Sequence, residues 1–161
     1  MTEKTIGATT FTVVSDLELR MSRVFDAPRE LVFAAYTDPK HVPNWWGMRN
    51  STTIVDTMDV RPGGRWRYIQ RAADGTEWAF NGEYRDVVPP ERLVSTFIFE
   101  GMPDKVVVDS ATFDEHDGKT TVTVISSFAS VEDRNGMLQS GMESGAAESW
   151  DRLAELLATL R

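Results

Sequence analysis

Cysteine is absent from the 161-residue chain, which excludes disulfides, thiol nucleophiles and thiolate metal sites. Histidine is scarce. His41 and His116 are the only two, they lack helical ligand spacing, and no His/Asp/Glu cluster resembles a metal motif. Long apolar runs are missing as well: the longest, such as Leu31–Tyr36, reach about six residues, against the ~20 that span a bilayer. Residues Met1 to Thr5 lack the basic-then-apolar order of a secretory signal. The expectation is therefore a soluble, cytoplasmic protein with no membrane span. Positive charge is in deficit, with 17 Lys and Arg against 25 Asp and Glu and a net charge of −8. An acidic surface repels phosphate backbones and anionic lipid, so no nucleic-acid partner is expected. No serine occupies a G-x-S-x-G elbow, and Arg61-Pro62-Gly63-Gly64 has neither the spacing nor the following helix of a phosphate loop. No metal and no cofactor are expected.

What is present is globular composition: 41% apolar and 26% charged residues, with no low-complexity tract, internal repeat or linker. A single domain over residues 1–161, with its core at about 11–160, is the natural division for a chain of this length. From Phe11 the apolar residues alternate through Val13, Leu17, Leu19, Met21 and Phe25, which predicts one long strand with a buried face. Asp26 is then a candidate N-cap and Pro28 a first helical residue for a short helix Pro28–Tyr36. Asp38-Pro39 starts a second short helix that ends near Trp45-Trp46. Six strands follow: Thr52–Val60, Arg65–Arg71, Glu77–Val88, Leu93–Glu100, Lys105–Glu115 and Lys119–Phe128. Their separation by Asp74-Gly75, Pro89-Pro90 and Asp117-Gly118 indicates an antiparallel meander.

After Phe128 the period changes. Ser130 and Asp133 form a variant capping box, and Leu138, Met142, Ala146, Trp150, Leu153, Leu157 and Leu160 recur at spacings of three and four. The prediction is one helix from about Ser130 to Leu160, about 45 Å long. The order is βααββββββα, an α+β chain in which a curved seven-stranded antiparallel sheet wraps a long C-terminal helix.

Aromatic side chains pair by parity along the strands: Trp66 with Tyr68, Trp78 with Phe80, and Phe97 with Phe99. Such pairs either fill a core or wall a cavity. Gly136, Gly141 and Gly145 lie in the first half of the expected helix, each costing about 0.8–1 kcal/mol relative to Ala. Gly141 and Gly145 share a face and Met137 and Met142 flank them, so this end either leaves a void for a ligand or packs closely on the sheet. Trp45 and Trp46 are candidates for the mouth, and His41 for its rim. Acidic strand residues Asp59, Glu83, Asp86, Glu100 and Asp109 are expected on the solvent face, although one that pointed inward would supply an acid or base.

The segments Arg23–Pro28, Trp45-Trp46-Gly47, Asp59–Gly64, Gly82-Glu83-Tyr84, Val88–Leu93, Gly141-Met142 and Asp151-Arg152-Leu153 occur in this order. Together they resemble bacterial single-domain members of the family named for the activator of heat-shock protein 90 ATPase (AHSA-type). The resemblance runs from about Phe11 to Leu160. It implies the helix-grip fold of the START-like (SRPBCC, birch-allergen-like) superfamily, with a deep apolar cavity between sheet and helix. Members of that superfamily include lipid and polyketide binders, aromatase/cyclases and co-chaperones. The resemblance carries over no catalytic set; Arg61 and Arg92 read as structural partners of carboxylates near turns.

Three functional readings follow. The first is a non-enzymatic protein that binds a small apolar or amphipathic molecule. Its expected site is Trp45, Trp46, Trp66, Tyr68, Phe80, Phe97, Phe99, Met137, Gly141, Met142 and Gly145. The second is a cavity enzyme of polyketide cyclase or hydrolase type, with an inward carboxylate or His41 acting near Trp45 and Trp46. The third is a co-chaperone-like ATPase regulator. The expected partners are the small ligand and, as a possible assembly, a second copy in a homodimer.

Overall fold

The computed structural model describes residues 3–160. Strands β1 (Glu3–Ile6), β2 (Thr9–Val13) and β3 (Glu18–Phe25) lead into helix α1 (Arg29–Thr37) and a single 3-10 turn, Val42–Asn44. Six strands follow: β4 (Ser51–Met58), β5 (Arg65–Ala72), β6 (Glu77–Val88), β7 (Arg92–Phe99), β8 (Val106–His116) and β9 (Lys119–Ser127). Helices α2 (Val131–Gln139) and α3 (Met142–Leu160) end the chain. All nine strands form one antiparallel sheet in the order β1-β2-β3-β9-β8-β7-β6-β5-β4. Register shifts between Val55 and Thr57 on β4 and between Tyr84 and Asp86 on β6 add the bends that curve it.

The helix-grip architecture is the one expected, and the six meander strands fall where their turn residues place them. Asp117-Gly118 holds both residues at positive φ (54° and 78°), the geometry of the tight hairpin its sequence predicts. Arg61 and Arg92 pair with Asp59 and Asp86, as expected of turn-side partners.

Three local expectations are corrected. The strand expected over Phe11–Phe25 is the hairpin β2–β3, and β1 (Glu3–Ile6) adds a further edge strand, so among the described residues the sheet has nine strands, not seven. The hairpin turn is closed by Val14 and Ser15 amides donating to the Glu18 carbonyl, and Leu17 N donates to Ser15 Oγ. Phe11 lies opposite Met21 and Val13 opposite Leu19, so the same parity faces inward on both arms and the alternation runs through the reversal unbroken. The helix expected from Asp38-Pro39 is only the 3-10 turn. The N-cap position of α1 is Pro28 rather than Asp26, and Glu115 from β8 accepts from the Arg29 amide at 2.9 Å.

The third correction concerns the C-terminal helix, which is two helices. Ser130 Oγ caps α2 by accepting from the Asp133 amide, as its capping box implies. Then Gly141, at φ +81°, stops α2 and restarts the chain as α3. The apolar spacing of Leu138 and Met142 spans this break, so periodicity alone does not reveal it. The 19 residues of α3 make a helix about 28 Å long. Its C-terminal half seats on the sheet: Leu153 and Leu157 are buried, and Trp150 meets Phe25 edge-on with centroids 5.5 Å apart. Trp150 Nε1 also donates to Tyr36 Oη at 2.8 Å, which ties α3 to α1. Replacing Trp150 by Ala removes this anchor, and chemical denaturation is expected to show a loss of about 3–5 kcal/mol. An unchanged midpoint would remove Trp150 from the core.

Candidate functional site

The N-terminal half of α3 does not fill the concave side of the sheet. Between them lies a cavity of about 620 Å³. Alternation along each strand decides what reaches it: Trp66, Tyr68 and Gln70 from β5, Phe80 from β6, Phe97 from β7 and Val107 from β8. From α3 come Met142, Gly145, Ala146 and Ser149, and from α2 Met137. Small side chains at three of those four α3 positions leave the space that the sheet's curvature opens. A Cβ added at Gly145 would meet nothing within 4 Å.

The loop between the 3-10 turn and β4 closes one side. Trp45 is buried there, with its indole Nε1 donating to the Ala35 carbonyl at 2.9 Å, so it secures the loop to α1. Trp46 turns into the cavity instead, edge-on to Tyr68 (5.1 Å) and Phe80 (5.3 Å). Gly47, at φ +98°, exchanges two hydrogen bonds with Ser149 Oγ, and its carbonyl also accepts from Arg152. Gln70 fills the space a Cβ on Gly47 would need and lies within bonding distance of the Trp46 carbonyl. Exposed Trp78 completes the wall.

Nine of the eleven residues expected at the site line this cavity: Trp45, Trp46, Trp66, Tyr68, Phe80, Phe97, Met137, Met142 and Gly145. Phe99 and Gly141 do not. Phe99 packs beside Phe80 at 5.3 Å and over Gly101, past the end of the cavity, and Gly141 sits in the α2–α3 break. His41 precedes the 3-10 turn away from the wall, and His116 is on an exposed hairpin. Among the described residues no group of three or more His, Asp or Glu is placed to hold a metal ion.

A polar stripe crosses the otherwise apolar floor. Tyr84, Ser95, Asp109 and Ser126 are successive cross-strand neighbours on β6, β7, β8 and β9, and all four line the cavity. Asp109, expected on the solvent face, is therefore an inward carboxylate. Ser126 Oγ donates to its Oδ1 at 2.6 Å. Burial pushes the Asp109 carboxyl up to about 6, and the Ser126 bond only partly opposes this. Burial also raises the Tyr36 hydroxyl, with the charge of Asp109 contributing, so the two groups sense each other across the floor. Tyr36 Oη accepts from Trp150, which leaves its own proton to donate. A signal for Asp109 exists in the sequence: it interrupts the apolar parity Val107, Ala111, Phe113.

The description "Activator of Hsp90 ATPase homolog 1-like protein" matches residues 26–158. The chain belongs to that family. Among solved structures, protein Ms6760 from Mycobacterium smegmatis is 29% identical, with a TM-score of 0.80 over 91% of this chain and 96% of that one. A Rhodobacter sphaeroides protein has a TM-score of 0.88 at 22% identity, over 94% and 99% of the two chains, a likeness of fold alone. DynU16, a protein of the dynemicin biosynthetic locus, is 25% identical with a TM-score of 0.70, over 91% of this chain and 49% of its own. No curated protein matches the chain.

The folded state raises the Asp109 pKa above that of an unfolded Asp, so it holds a proton that the unfolded chain has lost between about pH 4 and 6. Stability from this group is therefore lost as pH rises through that window and stays lost above it. Asp109→Asn is expected to match the parent near pH 4 and exceed it by up to about 3 kcal/mol at pH 8. Urea denaturation of both proteins across this range checks it, and a constant difference would place Asp109 in water.

Proposed function

We propose that this family member is a non-enzymatic binding protein for a small apolar or amphipathic molecule held between α3 and the sheet. The observation that supports this reading is the cavity itself. At about 620 Å³ it is in the range of ligand pockets, roughly 300–1,000 Å³, and aromatic rings with a few convergent polar groups line it. Burying an apolar guest there gains about 25 cal/mol for each Å² removed from water. Trp46, Trp66, Tyr68, Phe80, Phe97, Met137, Met142 and Gly145 are the proposed contacts, with Trp45 holding the loop that carries Trp46.

One observation favours a second reading, a cavity enzyme: burial raises the inward Asp109 carboxyl to about 6, where it can exchange a proton under mild conditions. The DynU16 locus gives that reading a biosynthetic precedent among neighbours, and turnover of a bound ligand that stops in Asp109→Asn would establish it. The family description names an ATPase activator, but chaperone regulation would act through an outer surface, and no feature of this cavity calls for it.

Gly145→Leu tests the binding reading. The leucine projects into the cavity and removes a helix glycine, so stability should hold or rise by up to about 1 kcal/mol. Affinity for an apolar fluorescent probe should fall at least about tenfold. A loss of about 1–3 kcal/mol in a protein that never bound the probe would mean a filled core and would sink the reading.

A further inference from the structure

We propose that the cavity selects ligands that carry a positive charge, an organic ammonium on an apolar body, with Asp109 as the counter-ion at its floor. The inference rests on the binding reading above and names the ligand class of the same site.

Val107 and Ala111 flank Asp109 on β8, and Ser95 and Ser126 lie beside it on β7 and β9. Helix α3 presents no charged side chain to the cavity, since its lining residues are Met142, Gly145, Ala146, Ser149 and Trp150. The titratable groups facing in are the phenols Tyr36 from α1, Tyr68 from β5 and Tyr84 from β6. Among the described residues Arg20 on β3 is the one basic residue in the wall, and its parity is opposite to that of inward Leu19 and Met21. Among the described residues Asp109 joins no ion pair, and the Ser126 hydroxyl is the one group that offsets the cost of burying its charge.

Above about pH 6 the floor thus carries a negative charge that the protein does not neutralise. A neutral hydroxyl from a ligand would repeat what Ser126 already supplies and leave that charge uncompensated. An ammonium compensates it, which is the condition on which a buried charge becomes tolerable. The aromatic lining (Trp46, Trp66, Tyr68 and Phe80) suits the same ion, since a cation is attracted to any ring face it meets. The chain's net charge of −8 also draws cations toward the mouth. The same charge disfavours fatty acids and other apolar carboxylates, whose head group would meet Asp109 with like sign.

Three probes of matched shape test the proposal by calorimetry on the intact protein: 1-naphthylmethylamine, 1-naphthylmethanol and 1-naphthoate. At pH 8 the amine should bind at least about tenfold more tightly than the alcohol, and the carboxylate most weakly. The amine's advantage should shrink as pH falls through about 6, where Asp109 takes up its proton. In Asp109→Asn the amine and alcohol should bind alike. Equal binding of amine and alcohol to the parent, or a preference that survives Asp109→Asn, overturns the cation proposal and leaves the binding reading standing. If no probe binds at either pH, both fall together.

Discussion

The architecture depends on where α3 is allowed to touch the sheet. Trp150 sets that point: its ring meets Phe25 edge-on and its indole N–H reaches the Tyr36 hydroxyl. Leu153 and Leu157 extend the seat toward the C-terminus. On the other side of Trp150 the helix offers Ser149, Ala146 and Gly145, which are too small to reach the opposite wall. A sheet bent by bulges in β4 and β6 moves away from a helix that has stopped filling the gap. The cavity is the consequence of a large anchor followed by small residues.

That geometry also explains the polar stripe. Strands β7, β8 and β9 occupy the middle of the sheet, so their inward residues are remote from both edges. In a filled core, Ser95, Asp109 and Ser126 at those positions would carry the full cost of desolvation. Facing a void, Asp109 retains room for a guest and one hydroxyl donor, while burial raises its carboxyl to about 6. The stripe is intelligible only together with the cavity.

Much of this was legible in the sequence, for a physical reason. The meander strands end where Asp-Gly, Pro-Pro and Gly-Gly force turns, and the parity of Trp66, Tyr68, Phe80 and Phe97 follows from strand alternation alone. What escaped is what periodicity cannot register. The β2–β3 hairpin keeps its apolar parity through the reversal, and the break at Gly141 falls where the helical spacing continues. Phe99 shares the parity of Phe97 but lies past the end of the cavity, because alternation fixes a face and not a depth. Asp109 was visible as a carboxylate on an apolar parity, yet surface placement is the rule for Asp, and the exception depends on a void that only the packed chain reveals.

The family relationship and the shared fold establish the scaffold, while occupancy of the cavity is the claim on which the functional account stands. Methyl NMR of the methionines during titration with an uncharged naphthalene probe tests it most directly. Met21, Met137 and Met142 line the cavity, whereas Met102 is exposed and does not line it. The account predicts saturable shifts of the Met21, Met137 and Met142 methyls with Met102 unmoved. Absence of any saturable shift, or shifts confined to Met102, would contradict it.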